Sequence, residues 1–344
     1  MKAVVCHGPK DLRIEEQESA APGTKEVSIG VEAGGICGSD LHYYSHGGFG
    51  AVRIKEPMVL GHEFAGRITA LGEGVEDLAV GDLVAVNPSQ PCGHCEYCER
   101  AHYNHCIDMR YYGSAMRFPH VQGAFRQAMT VKAEQCHLLP EGTSANDGAF
   151  AEPLSVALHA VRRAGNLIGG RVLVTGSGPI GALTVAAAKV HGALEVVATD
   201  IVDEPLERAL EVGADKVINV ATDASSLKAY EKGKGSFDVV IEASGNEQAL
   251  LSALDVIRPR GRLIQLGLGG DVTIPQTKIV GKEIEWCGTF RFHEEFPWAV
   301  ELIANKRIPL APLLTGVYPI EDAVAAFEAA GDRKTQMKVL LSFE

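Results

Sequence analysis

From residue 171 onward, compact apolar runs alternate with stretches of helical period. Before about residue 150, the apolar runs are shorter and broken by Gly and Pro. The second half predicts strands at 171–175, 195–200, 216–220, 237–243, 261–267 and 283–289, with helices such as 205–212 and 247–257 between them. Six strands separated by helices make an α/β, doubly wound parallel sheet. The first half predicts a mainly β unit, with strands at 26–33, 66–70 and 83–87. After residue 290 come two helices, 294–305 and 320–330, and a last apolar strand, 337–343, placed to rejoin the first unit. The expected division is 1–153 for the mainly β domain, 154–291 for the sheet-and-helix domain and 292–344 for the return.

Composition narrows the class. With 46% hydrophobic and 22% charged residues in 344, the chain can bury substantial cores, and two domains are the default for this length. Thirty-two Lys and Arg against 44 Asp and Glu give a net charge of -12, which disfavours nucleic acid and anionic membranes as partners. The longest uncharged stretch, 172–188, holds three glycines and a proline and is too short and broken to span a bilayer. Only residues 3–6 separate Lys2 from His7, so no secretory core is visible and a reducing cytoplasm is expected.

The eight cysteines therefore raise the question of a metal. Cys92, Cys95, Cys98 and Cys106 lie within fifteen residues of a Gly- and Pro-marked loop, and four thiolates close a tetrahedron around zinc with no open position. An iron-sulfur cluster is the rival, but the last gap is seven residues and no proline follows Cys106. A closed site fastens a lobe without doing chemistry. Cys6, Cys136 and Cys287 sit in apolar or strand-like contexts and take no assigned role. Cys37 differs: Gly34-Gly-Ile-Cys37-Gly-Ser39-Asp40-Leu-His42 gathers a thiol, a hydroxyl, a carboxylate and an imidazole.

The run 171–175 ends on Gly176-Ser-Gly178-Pro179-Ile180-Gly181, which opens an Ala-rich helix; Asp200 closes the next strand 19 residues past Gly181. This is the Rossmann dinucleotide fingerprint. The glycines let backbone amides approach a pyrophosphate at a helix N-terminus, and the acid accepts a ribose diol. No cation follows Asp200 before Arg208, so NAD is expected over NADP.

Gly61-His62-Glu63, with Gly66, Gly72 and Val75, resembles the signature of the zinc-dependent medium-chain alcohol dehydrogenases. The Cys37 segment, the four-cysteine lobe and the nucleotide fingerprint follow that family in order along essentially the whole chain. The resemblance implies a GroES-like catalytic domain beside the Rossmann domain, and a catalytic zinc held by Cys37, His62 and Glu152, with Glu63 behind it or exchanging into it. It further implies Asp40 as acceptor for a ligand imidazole, Ser39 and His42 as a proton relay, and hydride transfer from a zinc-polarised alcohol to nicotinamide. Glutamate at 152, where ethanol-type members carry cysteine, favours the polyol branch. The family also implies a homo-oligomer, a tetramer or a dimer.

Within that branch, Asn87-Pro-Ser, Asp108-Met-Arg110-Tyr-Tyr-Gly-Ser-Ala-Met116 and Phe118-Pro-His120 resemble members that oxidise sugar acids. A carboxylate substrate needs a cation. The candidate substrate contacts are Tyr43, Arg110, Arg117, Phe118, His120 and Arg291; Arg110 and Arg117 belong to the segment that resembles the sugar-acid members, and Arg291 is placed best, because its Thr289-Phe-Arg291-Phe292 setting resembles the substrate-facing strand end of the sorbitol-like branch. The rival readings are sorbitol, galactitol or threonine dehydrogenase, and a non-catalytic nucleotide-binding protein of the same fold.

Overall fold

A computed structural model describes residues 1–343. The six-stranded parallel sheet runs, edge to edge, Lys216–Asn219, Glu195–Asp200, Arg171–Thr175, Phe237–Glu242, Ile257–Gln265 and Glu285–Gly288. The crossovers are the helices Pro179–Val190, Asp203–Glu211, Glu247–Val256 and Gln276–Lys282 and the shorter Ala224–Lys228. The central strands are buried on both faces, which is why they read as unbroken apolar runs.

The mainly β part is built on a seven-stranded sheet. Its path is Cys136–Leu138, Leu83–Val86, Glu63–Leu71, Glu26–Gly35, Lys338–Ser342 and Leu314–Pro319, and Ala128–Lys132 also pairs with Glu26–Gly35. The C-terminal strand Lys338–Ser342 lies antiparallel to Glu26–Gly35, so the tail returns to the N-terminal sheet. A smaller sheet joins Asp11–Glu16, Lys2–Gly8 and Met58–Val59.

The helix Ala151–Ala164 crosses the expected boundary at 153/154 and packs against both Pro179–Val190 and Glu295–Ala304. Its Leu154, Leu158 and Val161 belong to a core shared with Val172 and Val174 of the parallel sheet. This one helix carries Glu152 at the β-domain end and anchors in the nucleotide domain. Gly61 shows why the signature needs glycine: its φ is +91°, and a Cβ there would lie 2.3 Å from the Phe125 ring.

Candidate active site and metal centres

Three neighbouring strands converge on the first site. Glu26–Gly35 runs out through Ile36, whose N–H bonds the Val339 carbonyl at 3.0 Å, into Cys37. Glu63 opens the next strand opposite Gly35, and Lys338 opens the third. Cys37 is the N-cap of the helix Gly38–His46, and Asp40, at its third position, accepts the Cys37 N–H at 3.0 Å and the Gly61 N–H at 3.3 Å. Asp40 also lies 3.8 Å from His62 Nδ1. The expected partnership of Asp40 with an imidazole therefore has a geometric basis.

Cys37, His62 and Glu63 place one donor atom each within 4.8 Å of one another. Glu152, expected as the third ligand, and Glu63, expected behind the metal or exchanging into it, are placed differently in the structure. Glu63 stands in the compact set, while Glu152 comes in from Ala151–Ala164 and accepts a short hydrogen bond from the Tyr111 hydroxyl. Glu63 is also held by Lys338, whose Nζ lies 2.6 and 2.9 Å from its two oxygens. Both partners are buried.

The donor set fits zinc, which takes thiolate, imidazole and carboxylate ligands. Electrostatics agree: Cys37, Asp40, Glu63 and Glu152 crowd a space whose positive charge comes from Lys338 and His62, with the Arg291 guanidinium at its edge over Tyr111. Burial opposes charge on His62, yet Asp40 and the Cys37 thiol push it up to about 10. Burial, reinforced by the neighbouring Glu63 carboxylate, pushes the Asp40 and Glu152 carboxyls upward. A dication relieves all of these at once.

The four-cysteine lobe forms a second set. Cys92, Cys95, Cys98 and Cys106 bring their sulfurs within 4.8 Å of one another, and all four are free thiols. Backbone N–H groups of Cys98 and Ile107 hold the Cys95 thiol down at about 6, whereas burial pushes the Cys98 thiol up to about 12 and the Cys106 thiol upward, so a bound dication would be what draws all four to thiolates. Four sulfurs without an open position fit a structural zinc.

At the nucleotide fingerprint, Gly181 packs so closely that a Cβ would sit 1.9 Å from the Gly176 carbonyl oxygen, whereas a Cβ on Gly178 would meet nothing within 4 Å. Gly178, followed by Pro179 and Ile180, caps the helix Pro179–Val190 and faces open space, as a pyrophosphate cradle requires. Asp200 closes its strand and accepts N–H bonds from Ser177 at 2.7 Å, Ile201 at 2.7 Å and Val202 at 3.1 Å, so it also ties this turn together. Sequence reasoning missed Glu242. Fully buried, it accepts from the Ser244 and Gly245 N–H groups and from Gln265, bracing the loop beside Gly176.

The relay candidates share one helix. Ser39 is half-buried and His42, one turn on, is exposed; burial, Arg333 and His46 lower the His42 imidazole.

The substrate candidates divide. Arg291 is half-buried, with its guanidinium over the Tyr111 ring at 4.1 Å and the Phe290 ring at 5.1 Å, and Nη2 3.1 Å from Met116 Sδ. It pairs with no carboxylate among the described residues. The Tyr111 ring lies 5.6 Å from the His62 ring, so Tyr111 bridges Arg291 and the metal set. Tyr111 is a residue the sequence reading passed over inside a segment it had singled out.

Three expected substrate contacts are engaged elsewhere in the structure. His120 is buried, its Nε2 accepts the Lys55 N–H at 2.8 Å and its Nδ1 meets the Arg117 carbonyl at 2.6 Å, so it holds a loop and has no free nitrogen. Arg117 is spent on an ion pair with Asp108. Tyr43 is a core residue whose hydroxyl accepts the Ala115 N–H at 3.0 Å. Arg110 and Phe118 are exposed. Arg110 sits in the short strand Arg110–Tyr111, where alternation sends it away from the Tyr111 side.

A GroES-like β domain, a doubly wound nucleotide domain and a thiol–imidazole–carboxylate centre define a zinc-dependent alcohol-type dehydrogenase. Residues 23–141 match the model of the alcohol dehydrogenase GroES-like domain and residues 179–305 that of the zinc-binding dehydrogenases; the chain belongs to this family. It is 42% identical to L-idonate 5-dehydrogenase (NAD(P)(+)) of Escherichia coli, over 99% of this chain and 98% of that protein. The crystal structure of the E. coli L-idonate 5-dehydrogenase superposes with a TM-score of 0.96 over 99% of this chain and 98% of that one. Sorbitol dehydrogenase of Bos taurus is 37% identical over 95% of this chain and 92% of the relative.

Proposed function

We propose that the protein oxidises a secondary hydroxyl of a sugar acid, L-idonate to 5-keto-D-gluconate, with NAD as hydride acceptor. The observation that carries this reading is Arg291: a half-buried guanidinium, stacked on Tyr111 beside the metal set, with no carboxylate paired to it among the described residues. An arginine in that position binds a carboxylate through charge-assisted, bidentate bonds. The resemblance to the E. coli enzyme supports the same substrate.

Zinc, which Cys37 and His62 would hold together with Glu63 or Glu152, would supply Lewis acidity toward the substrate hydroxyl, and a bound nicotinamide dinucleotide would supply the hydride acceptor. The chain's own residues do the rest. Asp40 orients His62, and Lys338 holds Glu63 against the strand ends. Ser39 accepts the hydroxyl proton and His42 passes it to solvent from the exposed side of the helix. Glu152 and Tyr111 form a buried pair that positions the polyhydroxy chain between the metal and Arg291.

Asp200 supports NAD over NADP, because a 2′-phosphate would meet its carboxylate. The unpaired edge of Glu285–Gly288 supports assembly of two chains through a continuous sheet, and a tetramer is the expected form. Free cysteines throughout the described residues suit a reducing cytoplasm. No helix among the described residues is long and apolar enough to cross a membrane.

The test is a panel of L-idonate, D-gluconate, sorbitol, galactitol and L-threonine, each with NAD and NADP. L-Idonate with NAD should lead. A lead for sorbitol would replace this reading with a plain polyol dehydrogenase.

A further inference from the structure

Arg291 sits in an irregular segment between the edge strand Glu285–Gly288 and the helix Glu295–Ala304, and its backbone is left-handed, with φ of +53°. A residue with a Cβ keeps that conformation only where its surroundings hold it. The holding groups come from the four-cysteine lobe. Asn104, itself buried, donates from Nδ2 to the Phe290 carbonyl at 3.0 Å. On either side of it, the His105 ring stacks on Phe290 at 6.1 Å, and the Tyr103 ring lies parallel to His293 at 5.1 Å with a 5° interplanar angle. All three residues belong to one turn, Tyr103–His105, directly before Cys106. From the opposite side the His293 N–H donates to Glu295 at 2.7 Å.

We infer that Asn104 is a positioning residue: its bond to the Phe290 carbonyl fixes the backbone that aims Arg291 across Tyr111, so the cysteine lobe sets selectivity for acids as well as stability. The inference rests on the reading that Arg291 receives the substrate carboxylate. Asn104 is 186 residues from Phe290 in the chain, and its amide is the one side-chain donor that the lobe gives to this segment among the described residues. Without it, the left-handed turn loses its anchor and Arg291 no longer presents one fixed fork to an anion. A neutral polyol, which does not use the fork, is insensitive to that loss.

The experiment compares the zinc-loaded wild type with Asn104→Ala, and with Asn104→Asp, which keeps the size and removes the amide donor. For L-idonate, kcat/KM should fall about tenfold and mainly through KM, the effect of one lost hydrogen bond, while sorbitol changes by less than about twofold. Zinc content should stay at the wild-type value. In an Arg291→Ala background, Asn104→Ala should cause no further loss of acid selectivity, because the two act through one group. Equal losses for both substrates, or a full Asn104 effect in the Arg291→Ala background, would overturn the inference. Should the alanine variant not fold, the aspartate variant must still show the selective loss. If Arg291→Ala itself leaves the ratio of acid to polyol activity unchanged, the reading of Arg291 fails and the inference falls with it. If Arg291→Ala lowers that ratio and neither Asn104 variant does, only the inference fails.

Discussion

Replacing Lys338 with Met should destabilise the protein far more without zinc than with it. Lys338 is 3% exposed and Glu63 0%, their atoms are 2.6 and 2.9 Å apart, and Lys338 also donates to the Ile36 carbonyl at 3.3 Å. Removing one partner of such a buried pair strands the other charge, which costs about 3–5 kcal/mol. The stranded Glu63 carboxylate would share its space with Asp40 and Glu152, both buried, so the upper part of that range applies to the chelated protein. With a dication against Cys37, His62 and Glu63, the carboxylate keeps a cationic partner, and the loss shrinks to about 1–2 kcal/mol for the missing hydrogen bonds. Urea unfolding followed by circular dichroism, on zinc-loaded and chelated samples of wild type and Lys338→Met, measures both quantities; removal of the lobe's metal cancels in the comparison. The double variant Lys338→Met/Glu63→Gln, which strands no charge, should recover most of the chelated-state loss. Equal losses in the two metal states, or a loss under about 1 kcal/mol in the chelated state, would refute the reasoning, since breaking a buried pair should cost more.

Metal analysis should find two zinc ions per chain, and Cys95→Ser should lower thermal stability and lose one of them, because zinc binding at such a site is coupled to folding. His62→Ala should spare the fold and abolish turnover; the opposite pattern would mean that the two centres have been exchanged. Asp200→Ala should lower kcat/KM with NAD by about tenfold and raise it with NADP, since it removes both a ribose acceptor and a repulsion of the 2′-phosphate. A wild type that prefers NADP would contradict this.

Burial opposes charge on Glu295, but His159 at 2.9 Å, the His293 N–H at 2.7 Å and Arg162 at 3.1 Å hold its carboxyl at about 2. A depressed acid stabilises the fold above its unfolded value of 4.5, and that contribution is lost as pH falls toward 2. The difference is worth on the order of 3 kcal/mol at neutral pH. Glu295→Gln should therefore destabilise the protein at pH 7 and flatten its stability profile between pH 4.5 and 2; an unchanged profile would reject the assignment.

The parallel sheet was legible because its central strands, buried on both faces, leave continuous apolar runs such as 171–175 and 237–242. The helix Gly38–His46 was less so. It starts at a cysteine, between glycines, and its capping acid Asp40 reads equally well as a site residue. Both metal sets were visible through spacing or signature, since their donors lie on short segments. The setting of Glu152 against Tyr111 was not, because it depends on where Ala151–Ala164 enters. Lys338 carried a usable signal, a lone cation in the apolar strand 337–343, yet its partner lies 275 residues away. His120 and Arg117 show the converse: residue type suggested anion binding, and contacts with Lys55 and Asp108, invisible along the chain, consumed them.

Selection of a sugar acid by Arg291 is the proposal on which the function rests. Its most direct test is kcat/KM for L-idonate and for sorbitol, with NAD and the zinc-loaded enzyme, in the wild type and in Arg291→Ala. L-Idonate should lead in the wild type, on the order of 10⁴-fold for a site built to bond a polar group that the analogue lacks, with 5-keto-D-gluconate as product, and the ratio should collapse in the variant. Sorbitol equal to or better than L-idonate in the wild type, or a ratio untouched by Arg291→Ala, would contradict the account.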